Sequence, residues 1–280
     1  LNHNFSKSFS LSGLATALVA AGLLATTGSA FAAESLGGNK LTPMGAERAG
    51  SADGKIPAWD GGLKSAPGGW KEGYGNPFAN EKPLFVITAQ NYKQYEKNMA
   101  PGQIEMLKKY PDTFKIPVYK SHRTANYPQS VYDLVKKNAK TAKLVDGGNG
   151  VENFTEVTPF PLPKTGVELV WNHSTRYRGK GAEREVSLVT PQAGGNYTAV
   201  TLSEEFMFIG DPVENSLFYF LQSVTAPARL SGTVLLVQET MNQVKEPRRA
   251  WIYNAGQRRV RRAPQVAYDG PGTAADGQRT

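Results

Sequence analysis

The chain has 280 residues, no cysteine and a formal net charge of +8 at pH 7. Without thiols it can form neither a disulfide nor a Cys-ligated metal site, so its stability must come from a packed core. With 29 Gly and 18 Pro it must also turn often.

The first segment, LNHNFSKSFSLSGLATALVAAGLLATTGSAFAAES, begins polar around Lys7 and runs apolar from about Leu11 to Ala25. Small residues follow and end in Ala30-Phe31-Ala32. This order is that of a secretory signal peptide over residues 1–32, with cleavage expected after Ala32. The apolar run is shorter than the roughly 20 residues a spanning helix needs. No Cys follows the cleavage site, so no lipid-modified N-terminus is expected. The roughly 250 residues that remain suffice for one large domain or two small ones. Behind a leader, positive charge points away from nucleic acid and towards anionic surfaces of the cell envelope or an acidic partner protein. The expected location is the periplasm of a Gram-negative bacterium, with no transmembrane segment after signal cleavage.

Residues 33–83 are crowded with Gly, Pro, Asn and Asp and can sustain neither a helix nor a long strand. We expect an extended arm, pinned by Trp59, Trp70, Tyr74 and Phe78. Residues 84–280 then form a domain of helices followed by an antiparallel sheet. Thr88 is placed to cap AQNYKQYEKNM, and Pro101 to open PGQIEMLKKY. TFKIPVYKSHRTANYP reads as extended. Pro128-Gln129-Ser130 opens a helix whose Val131, Leu134 and Val135 share one apolar face. DGGNG, residues 146–150, is a turn: it lacks the Lys-Ser/Thr pair of a phosphate loop.

Beyond Gly150 the apolar period moves towards two. GVELVWNHSTRYRG is expected to be a strand with Val167, Leu169 and Trp171 on one face. EREVSLVT and YTAVTLS flank the turn PQAGGN. EEFMFIGD and SLFYFLQSV are dense in aromatics, and the second fits a strand or a short buried helix. SGTVLLVQETMNQ is a strand, and AWIYN and QRRVRRA form a hairpin around Asn254 to Gly256. Strands in series with short turns make an antiparallel sheet and an α+β class.

A catalytic constellation is absent. His122 and His173 are the histidines beyond the leader, and the patterns HExxH, GxSxG and SxxK do not occur. Both His are expected as hydrogen-bonded surface groups. Glu204-Glu205 and the pair Glu183/Glu185 read as solvated edges. No catalytic residue, metal or cofactor is therefore assigned. In the hairpin, Trp251 and Tyr253 face one way and Ala250 and Ile252 the other. Arg258, Arg259, Arg261 and Arg262 could grip phosphate or carboxylate as bidentate forks, or form an ion-pair ladder with Glu239 and Glu246.

The segment WIYNAGQRRVRRAP is similar to a hairpin of periplasmic proteins related to the LolA/LolB lipoprotein carriers. More closely, LTPMGAERAGSADGKIPAWDGG together with RRVRRAPQVAYDGPGTAADG resembles the DUF1329 family, exported bacterial proteins of uncharacterised function. The resemblance implies a strongly curved antiparallel sheet, an incomplete barrel with helices on its concave side. It also implies a longer product, in keeping with a chain that begins at Leu1 and stops in a Gly- and Asp-rich segment.

The resulting expectation is a carrier or binding protein for a hydrophobic or amphipathic small molecule or lipid. Its candidate cavity lining is Val167, Leu169 and Trp171; Phe206, Phe208, Phe218 and Phe220; and Leu236, Trp251 and Tyr253. The arginines of the hairpin would meet an anionic headgroup or a partner. The alternatives are an adaptor docking on an envelope transporter or outer-membrane protein through that hairpin, and a periplasmic hydrolase.

Overall fold

A computed structural model describes residues 35–65, 76–211 and 213–263. The signal peptide, Trp70, Tyr74 and the segment after Ala263 lie outside the described residues. The chain forms two compact units, one of Glu47–Tyr127 and one of residues 1–46 with Pro128–Thr280.

In the first unit, β1 (Phe85–Ile87) pairs antiparallel with β2 (Ile116–Val118). Helix α1 (Pro101–Lys109) begins as expected at its proline, and Gln103 Oε1 accepts from the Ala100 N–H at 3.0 Å. The helix expected from Thr88 is instead two 3-10 turns, Tyr92–Gln94 and Glu96–Asn98. Asn91 explains the difference. Its Oδ1 accepts from the Thr88 N–H at 2.8 Å and its Nδ2 donates to Val86 O at 3.0 Å, a local closure that competes with the helical ladder. Residues 47–63 are stitched to the extended stretch after β2. Trp59 Nε1 donates to Ala125 O at 2.9 Å, and Arg123 donates to the carbonyls of Glu47, Arg48 and Ala49. Phe78 stacks on His122 with ring centroids 3.8 Å apart.

In the second unit, α2 (Gln129–Thr141) buries Val131 and Val135 as its spacing predicts. A hairpin follows, β3 (Lys143–Val145) with β4 (Gly150–Glu152). The next element corrects the sequence reading: GVELVWNHS is not a strand but helix α3 (Gly166–Ser174). Thr165 Oγ1 accepts from the Glu168 N–H at 3.3 Å, and the Glu168 carboxylate accepts from the Thr165 N–H at 3.2 Å. This reciprocal capping box starts a helix, and it outweighs the apparent alternation of Val167, Leu169 and Trp171. Behind α3, Val151, Phe154 and Met241 form a core with Leu144, Phe160, Trp171 and Leu217.

The rest of this unit is one antiparallel meander in the order β10-β9-β8-β7-β6-β5. Its strands are β5 (Gly181–Pro191), β6 (Tyr197–Asp211), β7 (Ser216–Ala226), β8 (Val234–Thr240), β9 (Arg249–Asn254) and β10 (Arg259–Arg262). SLFYFLQSV is thus a strand, and YTAVTLS and EEFMFIGD are one long strand. Among the described residues the sheet is open, with β5 and β10 as its edges. The α+β class and the antiparallel sheet are as the sequence implied.

Candidate functional site

Register decides which side chains meet. Phe206 lies opposite Phe220 and Phe208 opposite Phe218, so all four rings share one face of the sheet. The Phe206 and Phe220 centroids are 4.5 Å apart, and those of Phe206 and Phe208 5.9 Å. Carried across the ladders, the same face takes Leu202, Leu235, Val237, Ala250 and Ile252. Leu202, Leu235 and Val237 are buried, whereas the four phenylalanines are only half-buried. We call this the phenylalanine face.

The candidate lining residues do not form one set. Leu236, Trp251 and Tyr253 are half-buried on the opposite face, with Leu236 paired to Trp251. A strand reverses facing at each residue, so Leu235, Val237, Ala250 and Ile252 are the members that accompany the phenylalanines. Val167 and Leu169 are exposed on α3, and Trp171 is tied there by its Nε1 donating to Gly148 O at 2.9 Å.

Two carboxylates interrupt the phenylalanine face. Glu204 is 4% exposed, which corrects its reading as a solvated edge. Arg184 Nε donates to its Oε2 at 2.6 Å and Gln222 Nε2 to its Oε1 at 2.7 Å. Glu239, 5% exposed, is held in the same way by Arg248 Nε at 2.6 Å and Gln243 Nε2 at 2.8 Å. Each buried carboxylate has a cation and an amide, the condition under which such a charge is tolerated. The Arg184 guanidinium also lies over the Phe206 ring, 5.2 Å from its centroid.

The hairpin arginines divide as well. Arg259 and Arg261 project from the phenylalanine face, since Arg261 pairs with Ile252. Arg262 pairs with Trp251 on the other face, and Arg258 occupies the turn at φ 51°. All four are exposed. The ion-pair ladder does not form: Glu239 is taken by Arg248, and Glu246 lies 3.6 Å from Arg249.

At the Phe208–Phe218 end the face runs into a shallow cleft, walled by residues 174–180 at and after the end of α3 and by the loop before that helix. Gly210 makes that wall possible. At φ +59°, a Cβ on it would lie 2.7 Å from the Cα of Glu156. Arg178 stands over Phe208, its guanidinium carbon 4.0 Å from the ring centroid. The sequence reading passed over Arg176 and Arg178 because they were assigned to a strand; their signal was the run RYRGK directly after a capped helix.

In the first unit a second, open cleft contains His122, Lys120 and Asp60. His122 Nε2 is 2.8 Å from Glu81 Oε1, and no serine or threonine hydroxyl bonds to it among the described residues. His173 Nε2 is 3.3 Å from Arg176 Nη1. Among the described residues no three His, Cys, Asp or Glu assemble as a metal site. No helix among them is long and apolar enough to cross a membrane.

Comparison with known proteins adds a lineage. The chain is 56% identical over 276 residues to an uncharacterised protein of Pseudomonas aeruginosa, covering 95% of this chain and 60% of that protein. It thus spans about three fifths of the length of that relative. A crystal structure of a DUF1329 family protein from Desulfovibrio piger matches 29% of this chain and 32% of its own, at 22% identity and a TM-score of 0.24. The profile described as "Protein of unknown function (DUF1329)" matches residues 86–280, and by that match and the Pseudomonas relative the chain belongs to the DUF1329 family.

Proposed function

We propose that this protein is a periplasmic carrier or binding protein for a hydrophobic or amphipathic molecule, a lipid or a lipid-modified protein among them. The observation that carries the reading is the phenylalanine face: four large rings, contiguous across β6 and β7, left half-buried beside the buried Leu202, Leu235 and Val237. In an ordinary packed sheet such rings would be the first side chains covered. In this reading the sheet curves around that face as an incomplete barrel, and the ligand completes the burial. Enclosing a chain of about 16 methylenes is worth on the order of 13 kcal/mol gross at roughly 0.8 each, and ordering costs remove much of it. An apolar surface therefore suffices for retention without a catalytic group.

The test is native mass spectrometry of the protein isolated from periplasm, with extraction and identification of what it carries. A fixed-stoichiometry amphiphile, lost in the Phe208→Gln/Phe218→Gln variant while circular dichroism is unchanged, is the expected result. An empty protein with intact secondary structure would overturn the carrier.

The adaptor reading has its own support in Arg258, Arg259, Arg261 and Arg262. None of them has a carboxylate partner among the described residues, and all stand exposed at a sheet edge.

A further inference from the structure

The cleft beyond Phe208 has a charge imbalance that its own residues leave uncompensated. Three cations follow α3 within five positions: Arg176, Arg178 and Lys180. One carboxylate answers them. Glu156 takes Lys180 Nζ on both oxygens, at 2.8 and 2.9 Å. Arg176 donates to His173 O at 2.6 Å and lies 3.3 Å from His173 Nε2, and Arg178 donates to Ser174 O at 3.3 Å. Neither has a carboxylate partner among the described residues. Arg178 is further set by its position over Phe208, which holds the guanidinium beside the cleft. Partial burial, and then repulsion from Arg176, hold its proton affinity below the usual arginine range. An anion beside the two guanidinium groups would offset the repulsion between them.

The cleft and the phenylalanine face are continuous. Phe208 and Phe218 line the cleft, and the same two rings belong to the aromatic cluster with Phe206 and Phe220. A ligand that followed this surface would meet apolar rings along its length and, at one end, two guanidinium groups with no carboxylate partner among the described residues. We propose that Arg176 and Arg178 form the headgroup site of the carrier, taking the oxyanion of a single-chain amphiphile whose chain lies across the phenylalanine face. The inference rests on the carrier reading and adds to it the polarity of the ligand and the end at which its head sits. Carboxylate and phosphate both match a guanidinium fork, so the shared chemistry is an oxyanion head. Thr175 and Ser174 add hydroxyls at the same turn, but both already donate within α3, to Trp171 O at 2.7 Å and Val170 O at 3.0 Å. The arginines therefore carry recognition.

The experiment is calorimetric titration of the full chain with monomeric dodecanoate, dodecyl phosphate, dodecanol and dodecyltrimethylammonium, and with acetate and inorganic phosphate alone. Both anionic amphiphiles, or one of them, should bind about tenfold or more tighter than dodecanol, as charge-assisted hydrogen bonds allow. Which of the two is tighter names the head. Arg176→Gln/Arg178→Gln should remove that advantage and leave dodecanol binding unchanged. Arg178→Lys should restore part of it, and Arg229→Gln, outside the cleft, should do nothing. Equal affinity for the neutral and anionic amphiphiles, or a double variant that loses both together, overturns the headgroup site while sparing the carrier. If no amphiphile binds at all, the carrier itself falls. Tight binding of inorganic phosphate or acetate without the chain would mark a free-anion site and refute the shared head-and-tail surface.

Discussion

Asn138 is 0% exposed on the buried face of α2, one turn beyond Val135. Its Nδ2 donates to Thr155 O at 3.0 Å and Val157 O at 2.6 Å, and its Oδ1 accepts from the Thr155 N–H at 3.0 Å. It thereby holds a loop in which Asn153 and Glu156 both have left-handed backbone, at φ 56° and 50°. Non-glycine residues adopt that region at a cost of roughly 1–2 kcal/mol each, so the loop needs an external tether. Glu156 is also the partner of Lys180 in the cleft wall. Asn138→Ala takes the Asn138 partner from the Thr155 N–H and the Val157 carbonyl and one of two donors from the Thr155 carbonyl. It should cost about 2–4 kcal/mol in urea unfolding and weaken dodecyl phosphate binding as the wall loosens. A loss under about 0.5 kcal/mol would mean that water replaces the amide or that the loop stands without it. The buried Asn138 was not visible in the spacing of α2, because an asparagine at a core position gains its value only from the loop that arrives opposite.

Helix α3 is the element on which the cleft is built, because its end delivers Arg176 and Arg178. Its start is a T-x-x-E box, Thr165 to Glu168, and its exposed face carries Val167, Leu169 and Val170. An element with so little buried surface depends strongly on its cap. Thr165→Ala should therefore cost about 1 kcal/mol of stability, seen as a lowered Tm, and loosen the helix start in hydrogen exchange. An unchanged Tm and unchanged protection would show that Trp171, through its bond to Gly148, anchors the helix alone. The box was legible in the sequence, but a period-two reading of Val167, Leu169 and Trp171 competed with it over a stretch too short for periodicity to decide. The strands of the meander were legible for the opposite reason. They are long, β-branched or aromatic, and punctuated by PQAGGN and by the turn after Asn254.

At the scale of the whole molecule, the sheet separates two clusters of cations that have no carboxylate partner among the described residues. Arg176 and Arg178 stand by β5 and β6, and Arg258, Arg259, Arg261 and Arg262 on the β9–β10 hairpin at the far edge. This separation makes two roles distinguishable. Replacing the four hairpin arginines by Gln should leave the affinity for dodecyl phosphate within about twofold, since charges more than a Debye length apart, about 8 Å at physiological salt, are largely screened. The same variant should weaken capture by anionic vesicles or an acidic partner, an effect that added salt reproduces in the unsubstituted chain. A large fall in dodecyl phosphate affinity would instead join the hairpin to the ligand site. The four phenylalanines were found in the sequence as a group, while Leu236, Trp251 and Tyr253 were grouped with them in error, because alternation within one strand says nothing about the phase of the next.

The sequence by itself determined the class of the fold, the serial antiparallel strands, the helices opened by Pro101 and Pro128, and the resemblance that the family match sustains. These follow from local chemistry: turn residues, caps and periods act over a few positions. Only the tertiary structure decided which face each apolar residue takes, that Glu204 is buried between Arg184 and Gln222, and that Arg178 meets Phe208 in a cleft shared with Arg176, neither arginine having a carboxylate partner among the described residues. Strand register and the docking of a helix end are set by pairings between distant segments, and a shift of a single residue would exchange the two faces of the sheet.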